Sequence, residues 1–312
     1  MKSKKIVVFG SYVADLTGTS DRLPKAAETV FGDEFQIGPG GKGSNQAVAA
    51  HRTGANVTLV TKIGCDVFGE QAIQFYKDQK IAADYILEDE IIGTGVALIC
   101  VDRLTGQNQI LVIPGACTHF TEDDIEKLTP LICEADVLLV QFEVNMDALE
   151  RVIDIAHQKG VKVLLNPAPA RKASQEMLSK VDIILPNEVE AEEFTGVHVH
   201  DEQSAERAAK VFHGWGIPIV VITMGSKGVF ASDGKNSKMI PARMVKAVDT
   251  TGAGDAFCGG FATAYCEGNS LFESIEFGNA VASLSVQKLG TAPSMPMRRD
   301  VDEIFDVSRK DK

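Results

Sequence analysis

At 312 residues, with 45% hydrophobic and 24% charged side chains, the chain can bury a sizeable core as one large domain or two smaller ones. A formal charge of −12 argues against a nucleic-acid groove or an anionic membrane surface as main partner, while a small anion held by local backbone amides stays open. The six cysteines form no CxxC pair and no short-spaced ladder, so they read as reduced core thiols of a cytoplasmic protein without a zinc site.

The opening MKSKKIVVFGSYVAD holds an apolar run too short for a secretory signal, and no segment approaches the ~18–20 apolar residues of a membrane span. KKIVVFG (4–10) predicts a first strand. Residues 11–37, with Gly18, Pro24 and Gly32, show no helical period. GPGGKGSNQAVAAHRTG (38–54) predicts a glycine turn leading into a helix with Asn45 in its first turn, and NVTLVTKIG (56–64) a strand of the same sheet as the first. TGVALICVDRLTGQNQILVI (94–113) predicts two strands joined by a DRLTGQN turn. Together with 11–37 it forms an antiparallel addition, read equally well as a flap over a site or as an edge hairpin.

From residue 135 the rhythm is regular. Short apolar strands at 135–142, 160–166, 181–187 and 217–223 alternate with helical patterns at 146–159, 172–180, 188–195 and 201–213. Nearly all-apolar strands belong to a parallel sheet covered on both faces, which predicts a three-layer α/β/α body.

Three clusters carry chemistry. DTTGAGDAF (249–257) strips away side chains ahead of one carboxylate, with Phe257, Phe261 and Tyr265 along one face of the helix that follows. Bare backbone N–H groups at such a helix start suit an anion, and the adjacent Asp255 suits proton transfer. The same residues read equally as a tight turn and a helix cap. In the second cluster, Gly38, Gly40 and Gly43 match GxGxxG, but no acid ends the following strand as a dinucleotide ribose requires. Nor is it a P-loop, since Gly43 follows Lys42 where Ser or Thr should stand. In the third, Glu143, Asn187, Glu190 and TMGSKG (223–228) follow strand ends, where open α/β sheets bind ligands. Two other features read as structural: His198 and His200 as an exposed loop without a third ligand, and Trp215 as turn packing.

Across essentially the whole chain these segments resemble the ribokinase family of phosphofructokinase-B-type sugar kinases. GSYVAD (10–15) resembles its opening sugar-contact motif, GGKGSNQAVAA (40–50) its first signature and DTTGAGDAF its second, while NPAPA (166–170), PNEVE (186–190) and TMGSKG are similar to its intermediate segments. The resemblance implies an ATP-dependent pentose kinase with Asp255 as base and an anion hole from Gly252, Ala253 and Gly254. It implies a sugar site at Val13, Asp15, Gly40, Gly41, Lys42, Asn45 and Glu143, and ATP contacts at Asn187, Thr223, Gly225, Ser226, Gly228, Gly254 and Asn279. It links Glu190 to magnesium, and Asp249, Thr251, Ser285, Lys288, Gly290 and Ser294 to a potassium ion. It also divides the chain into an α/β body (1–10, 38–93, 114–312) and a β lid (11–37, 94–113) that serves a homodimer. In one departure, Val13 stands where the family typically carries Asn. An apolar side chain there suits 2-deoxyribose, which leaves that sugar beside ribose.

Overall fold

The computed structural model describes residues 4–310, with side chains described through 305. In chain order the elements are β1 (Lys5–Phe9), β2 (Val13–Ser20), β3 (Glu34–Gly40), α1 (Lys42–Arg52), β4 (Asn56–Gly64), α2 (Val67–Gln79), β5 (Ile86–Asp89), β6 (Gly95–Asp102), β7 (Asn108–Ile113), α3 (Glu122–Cys133) and β8 (Val137–Gln141). They continue with α4 (Met146–Lys159), β9 (Lys162–Asn166), α5 (Gln175–Leu178), β10 (Ile183–Ile184), α6 (Glu188–Thr195), α7 (Glu202–Gly214), β11 (Ile219–Thr223), β12 (Val229–Ser232), β13 (Ser237–Ile240), α8 (Ala253–Glu267), α9 (Leu271–Ser285) and α10 (Arg298–Lys310).

Nine strands form the main sheet in the order β13-β12-β11-β10-β9-β8-β1-β4-β5, parallel except at β12 and β13. Its central strands are apolar on both faces because a helical layer covers each. One core lies under α1, α8 and α9, the other under α3, α4 and α7. No helix among the described residues is long and apolar enough to cross a membrane. The expected three-layer α/β/α body is present.

A second sheet, in the order β3-β2-β6-β7, is the expected small addition. Two of its pairings are antiparallel, and its central pair, β2 with β6, runs parallel. It reaches further than its expected limit at residue 37, because Gly38–Gly40 still pair with Asp15–Val13. Two expected elements are shorter than the pattern suggested. The helix expected over 172–180 is a single turn, and the strand expected over 181–187 is continuous only at Ile183 and Ile184, with an isolated bridge from Asn187 to Thr223 beyond Pro186, which has no N–H for the ladder.

One packing contact sets up the site. α8 is buried on nearly all sides and carries Gly259 against α1. A Cβ on Gly259 would come within 2.5 Å of Ala49 Cβ and 2.6 Å of Gln46 O. The missing side chain lets the two helices approach until polar side chains from the start of α1 reach the start of α8.

Candidate active site

α8 begins at Gly252, whose φ of +76° is a left-handed conformation suited to glycine. The first in-helix bond runs from Ala256 N to Gly252 O, so Gly254 and Asp255 present their N–H groups ahead of it. Ala253 N donates to Thr250 O at 3.2 Å, so that member of the expected anion hole spends its amide on the turn. A Cβ on Gly254 would meet nothing within 4 Å. That open space belongs to a cavity of about 180 Å³ whose wall includes Lys42, Asn187, Glu190, Thr223, Thr250, Gly252–Gly254, Asp255 and Cys258.

Asp255 is only 7% exposed yet lies on this cavity wall, its carboxylate between two amides of α1. Asn45 Nδ2 donates to Oδ2 and Gln46 Nε2 to Oδ1, each at 2.9 Å. Burial raises its pKa, against the Lys42 ammonium and the Gln46 and Asn45 donors, which favour the anion, while Glu143 adds to the rise. Lys42 faces the same acids. Burial alone would lower its pKa, but Asp255, Glu143 and Glu190 outweigh it and hold the ammonium charged. The Oδ1 atom of Asn45 is buried and accepts no hydrogen bond, an acceptor free for a ligand hydroxyl.

The residues expected to hold a sugar gather beside this carboxylate. Glu143, just past β8, ties the first strand's exit to α1: Ser11 Oγ donates to its Oε2 at 2.5 Å and Lys42 N at 2.9 Å. Asp15 lies where a Cβ on Gly40 would clash with its carboxylate, so Gly40 leaves room for that acid. Gly41, at φ +87°, caps α1, and a Cβ there would lie only 2.8 Å from Val13 N and 2.9 Å from Ser11 O. Burial pushes the Asp15 carboxyl up to about 6, Thr291 lowers it, and Glu143 and Asp255 raise it further. Val13 is buried and, two residues before Asp15 on β2, shares its face of the sheet.

The expected nucleotide residues are only partly drawn together. Asn187 and Glu190 line the cavity and also cap α6 reciprocally, Glu190 N donating to Asn187 Oδ1 at 2.8 Å and Asn187 N to Glu190 Oε2 at 2.9 Å. Burial raises the Glu190 pKa, the Asn187 N–H and Lys42 lower it, and Asp255 raises it. Thr223 lies on the cavity wall at the end of β11, but Gly225, Ser226 and Gly228 follow in a turn outside it. Asn279, on α9, also lies outside and donates weakly to Pro241 O at 3.4 Å. Among the expected cation residues, Asp249 is the organiser. Its Oδ1 accepts from Thr251 N at 2.9 Å and its Oδ2 from Gly290 N at 3.0 Å, which joins the loop before α8 to the loop after α9. Ser285 Oγ and Ser294 Oγ donate to Ala282 O and Thr291 O, and Lys288 N donates to Ser285 O.

Four participants escaped the sequence reading: Ser11, Gln46, Asn166 and Thr291. Gln46 stands inside the glycine signature and Asn166 at a strand end, positions that could have drawn attention. Thr291 carries no signal, because its partner Asp15 is remote in sequence. His198 and His200 stack at 5.2 Å on an exposed loop, and no group of three or more His, Cys, Asp or Glu side chains suited to a metal occurs among the described residues.

The profile of the pfkB family carbohydrate kinases matches residues 3–298. The chain is 44% identical over 303 residues to the ribokinase of Haemophilus influenzae, covering 97% of this chain and 99% of that one. It is 34% identical over 304 residues to the deoxyribokinase of Salmonella typhi, with coverage of 97% and 99%. The Arabidopsis thaliana ribokinase complexed with ribose and ATP superposes with a TM-score of 0.89 at 31% identity, over 98% of this chain and 99% of that one. A carboxylate at a glycine-lined helix start, in a chain that follows this profile nearly end to end, places the protein in the pfkB family of carbohydrate kinases.

Proposed function

We propose that the chain transfers the γ-phosphoryl group of ATP to the 5-hydroxyl of D-ribose, giving ribose 5-phosphate and ADP. One observation carries this reading: Asp255 shares a cavity wall with the bare N–H groups heading α8 and with Lys42. Asp15, Lys42, Asn45 and Glu143, with the backbone of Gly40 and Gly41, hold the sugar. As the 5-oxygen attacks, its proton passes to the Asp255 carboxylate, a new O–P bond forms, and the bond from the γ-phosphorus to its bridging oxygen breaks with its electrons leaving on ADP. The N–H groups of Gly252 and Gly254 and the Lys42 ammonium steady the charge on the transferring group. Asn187, Thr223, Gly225, Ser226, Gly228 and Asn279 hold the nucleotide.

Two cations fit the donors present. Magnesium would enter with the ATP phosphates and would neutralise their charge, and Glu190 on the cavity wall would be linked to it indirectly. The potassium assignment rests on Asp249, Thr251, Ser285, Lys288, Gly290 and Ser294, which offer one carboxylate, three hydroxyls and main-chain carbonyls. The loops carrying them are already joined by Asp249. Asp249 thereby fixes the turn from which α8 starts.

The lid sheet supports a homodimer. Ile37, Leu16, Leu98 and Leu111 stand in one row across its four strands, on the face opposite Asp15, and Ile37, Leu98 and Leu111 are exposed. A second sugar, 2-deoxyribose, is favoured by Val13 alone: it stands on the same face as Asp15 and offers no hydrogen bond to a 2-hydroxyl.

The deciding experiment is ADP release by the native chain and Asp255→Asn with ribose and 2-deoxyribose. The native chain turns over ribose, and the variant keeps its fold and sugar binding but loses about 10²–10⁴ in kcat. Near-normal turnover by the variant overturns the reading.

A further inference from the structure

We propose that Gln46 is a positioning residue of the transfer: its side-chain amide fixes the Asp255 carboxylate in place, and Gln141 and Asn166 lock that amide in the single orientation able to do so. The inference rests on Asp255 as the proton acceptor and goes beyond it to what holds the acceptor.

Gln46 is fully buried on α1. Its Nε2 donates to Asp255 Oδ1 at 2.9 Å and to Asn166 Oδ1 at 3.0 Å, and its Oε1 accepts from Gln141 Nε2 at 2.7 Å. Asn166 is anchored in turn, its Nδ2 donating to Leu185 O at 2.9 Å. The chain of amides therefore runs from β8, through α1, to β9 and the end of β10, and hangs the carboxylate of α8 on the rigid centre of the sheet. Turning the Gln46 amide over would set its oxygen against two acceptors, Asp255 Oδ1 and Asn166 Oδ1, and its NH₂ against the Gln141 NH₂. The network forbids that alternative.

The two amides on Asp255 differ in kind. Asn45 keeps an unpartnered acceptor, Oδ1, for a ligand. Both N–H bonds of Gln46 and its oxygen are engaged within the protein, so it has nothing aimed at a ligand. Its task is confined to the base. A neutral donor is also the right chemistry for that place. Asp255 already faces the acids Glu143 beyond β8, Glu190 on α6 and Asp15 on β2, with the neutral Cys258 thiol one turn along α8, and among the described residues Lys42 is the cation that balances those acids. An acid at residue 46 would add a further like charge within hydrogen-bond range.

The test is the pH dependence of kcat with saturating ribose and magnesium-ATP for the native chain, Gln46→Leu and Gln46→Glu, with Asp255→Asn as control. Gln46→Leu lowers kcat about 10- to 100-fold with KM for both substrates little changed, and moves the acid limb of the profile upward. In Gln46→Glu two carboxyls share one site and retain a proton through neutral pH, so activity is lost at pH 7 and regained toward alkaline pH. Should Gln46→Leu fail to fold, Gln46→Glu keeps the side-chain length, and Gln141→Leu, which reaches Asp255 only through Gln46, gives a smaller shift of the same sign. A native profile in these variants, or a uniform drop in kcat with an unmoved acid limb, overturns the proposal. If Asp255→Asn itself keeps turnover, the underlying reading of the base fails instead.

Discussion

Thr291 and Asp15 meet across the mouth of the site although 276 residues separate them: the threonine hydroxyl lies 3.4 Å from the Asp15 carboxylate and donates to Pro39 O at 3.1 Å. The loop after α9 thus closes onto the lid through an acid whose pKa stands well above its ordinary 3.8, at about 6. The folded chain holds this proton between those values while the unfolded chain has released it. Stability therefore falls as pH rises through that window, and the cost is full above about pH 6 and absent below 3.8. Asp15→Asn should stabilise the fold by roughly 2–3 kcal/mol at pH 7.5 and by nothing near pH 3.5. The same change should raise KM for the sugar about 10- to 100-fold, since a hydrogen bond to a charged group is lost. Urea unfolding at the two pH values, set beside KM, checks both; equal stabilisation at both pH values would refute the buried-charge account.

Two glycines separate room for a ligand from room for the protein. At Gly254 an added Cβ meets open cavity, whereas at Gly40 it strikes the Asp15 carboxylate. Gly254→Ala should leave the melting temperature level or slightly raised, because alanine favours helix over glycine by up to about 1 kcal/mol, yet lower kcat at least ~10-fold by crowding the phosphoryl group. Gly40→Ala should instead raise KM for the sugar by displacing Asp15. Calorimetry and steady-state kinetics on the pair decide it: a Gly254→Ala enzyme with native kcat would mean that no phosphoryl group comes near α8.

The parts of the fold legible in the sequence were those written in local pattern. The all-apolar runs of β1, β8, β9 and β11 reveal a doubly covered sheet, and α4 and α6 lie where their apolar period and their Gly160 and Gly196 stops put them. The hairpin β12–β13 went unseen because SDGKNSK reads as loop, with only the buried stretch Val229–Ser232 to betray it. The site divides the same way. Asp255 and Gly254 announce themselves by glycine spacing beside a lone acid, whereas Thr291 matters only through a partner on another element, which no local pattern encodes. Asn187 and Glu190 show a further limit, since NEVE is at once a capping box and a cavity wall.

Among the described residues, Lys42 is the only cation on the wall that Asp255 and Glu190 share, and it offsets their burial. Lys42→Met should lower kcat/KM about 100-fold and shift the acid limb of the kcat profile upward, because Asp255 loses the charge that most favours its anion. Arg at this position should restore the acid limb but not full kcat, since its planar fork differs from a compact ammonium. A Lys42→Met profile with its acid limb in the native place would remove the ammonium from the tuning of the base.

A last prediction concerns how the lid is hung. Lys62, near the end of β4, is almost fully buried and donates to Asp124 Oδ2 and His119 O, each at 2.9 Å, with Asp89 Oδ2 at 3.4 Å. Asp89 in turn accepts from Ile91 N and Ile92 N, where the chain leaves the body for β6. His119 follows β7, where the chain returns. Beside this node Asp66 accepts from both Thr94 N and Thr94 Oγ1 at 2.8 Å, and Gly64 N donates to the same threonine hydroxyl at 2.9 Å. One ammonium therefore ties together the exit and the return of the lid. Lys62→Met leaves the half-buried carboxylates of Asp89 and Asp124 without the cation they share, which should cost about 1–2 kcal/mol in urea unfolding. On the reading that this sheet covers the sugar and not the phosphates, KM for the sugar should rise more than KM for ATP. An unchanged unfolding midpoint, or equal changes in both KM values, would show that the lid is held by its backbone pairing alone.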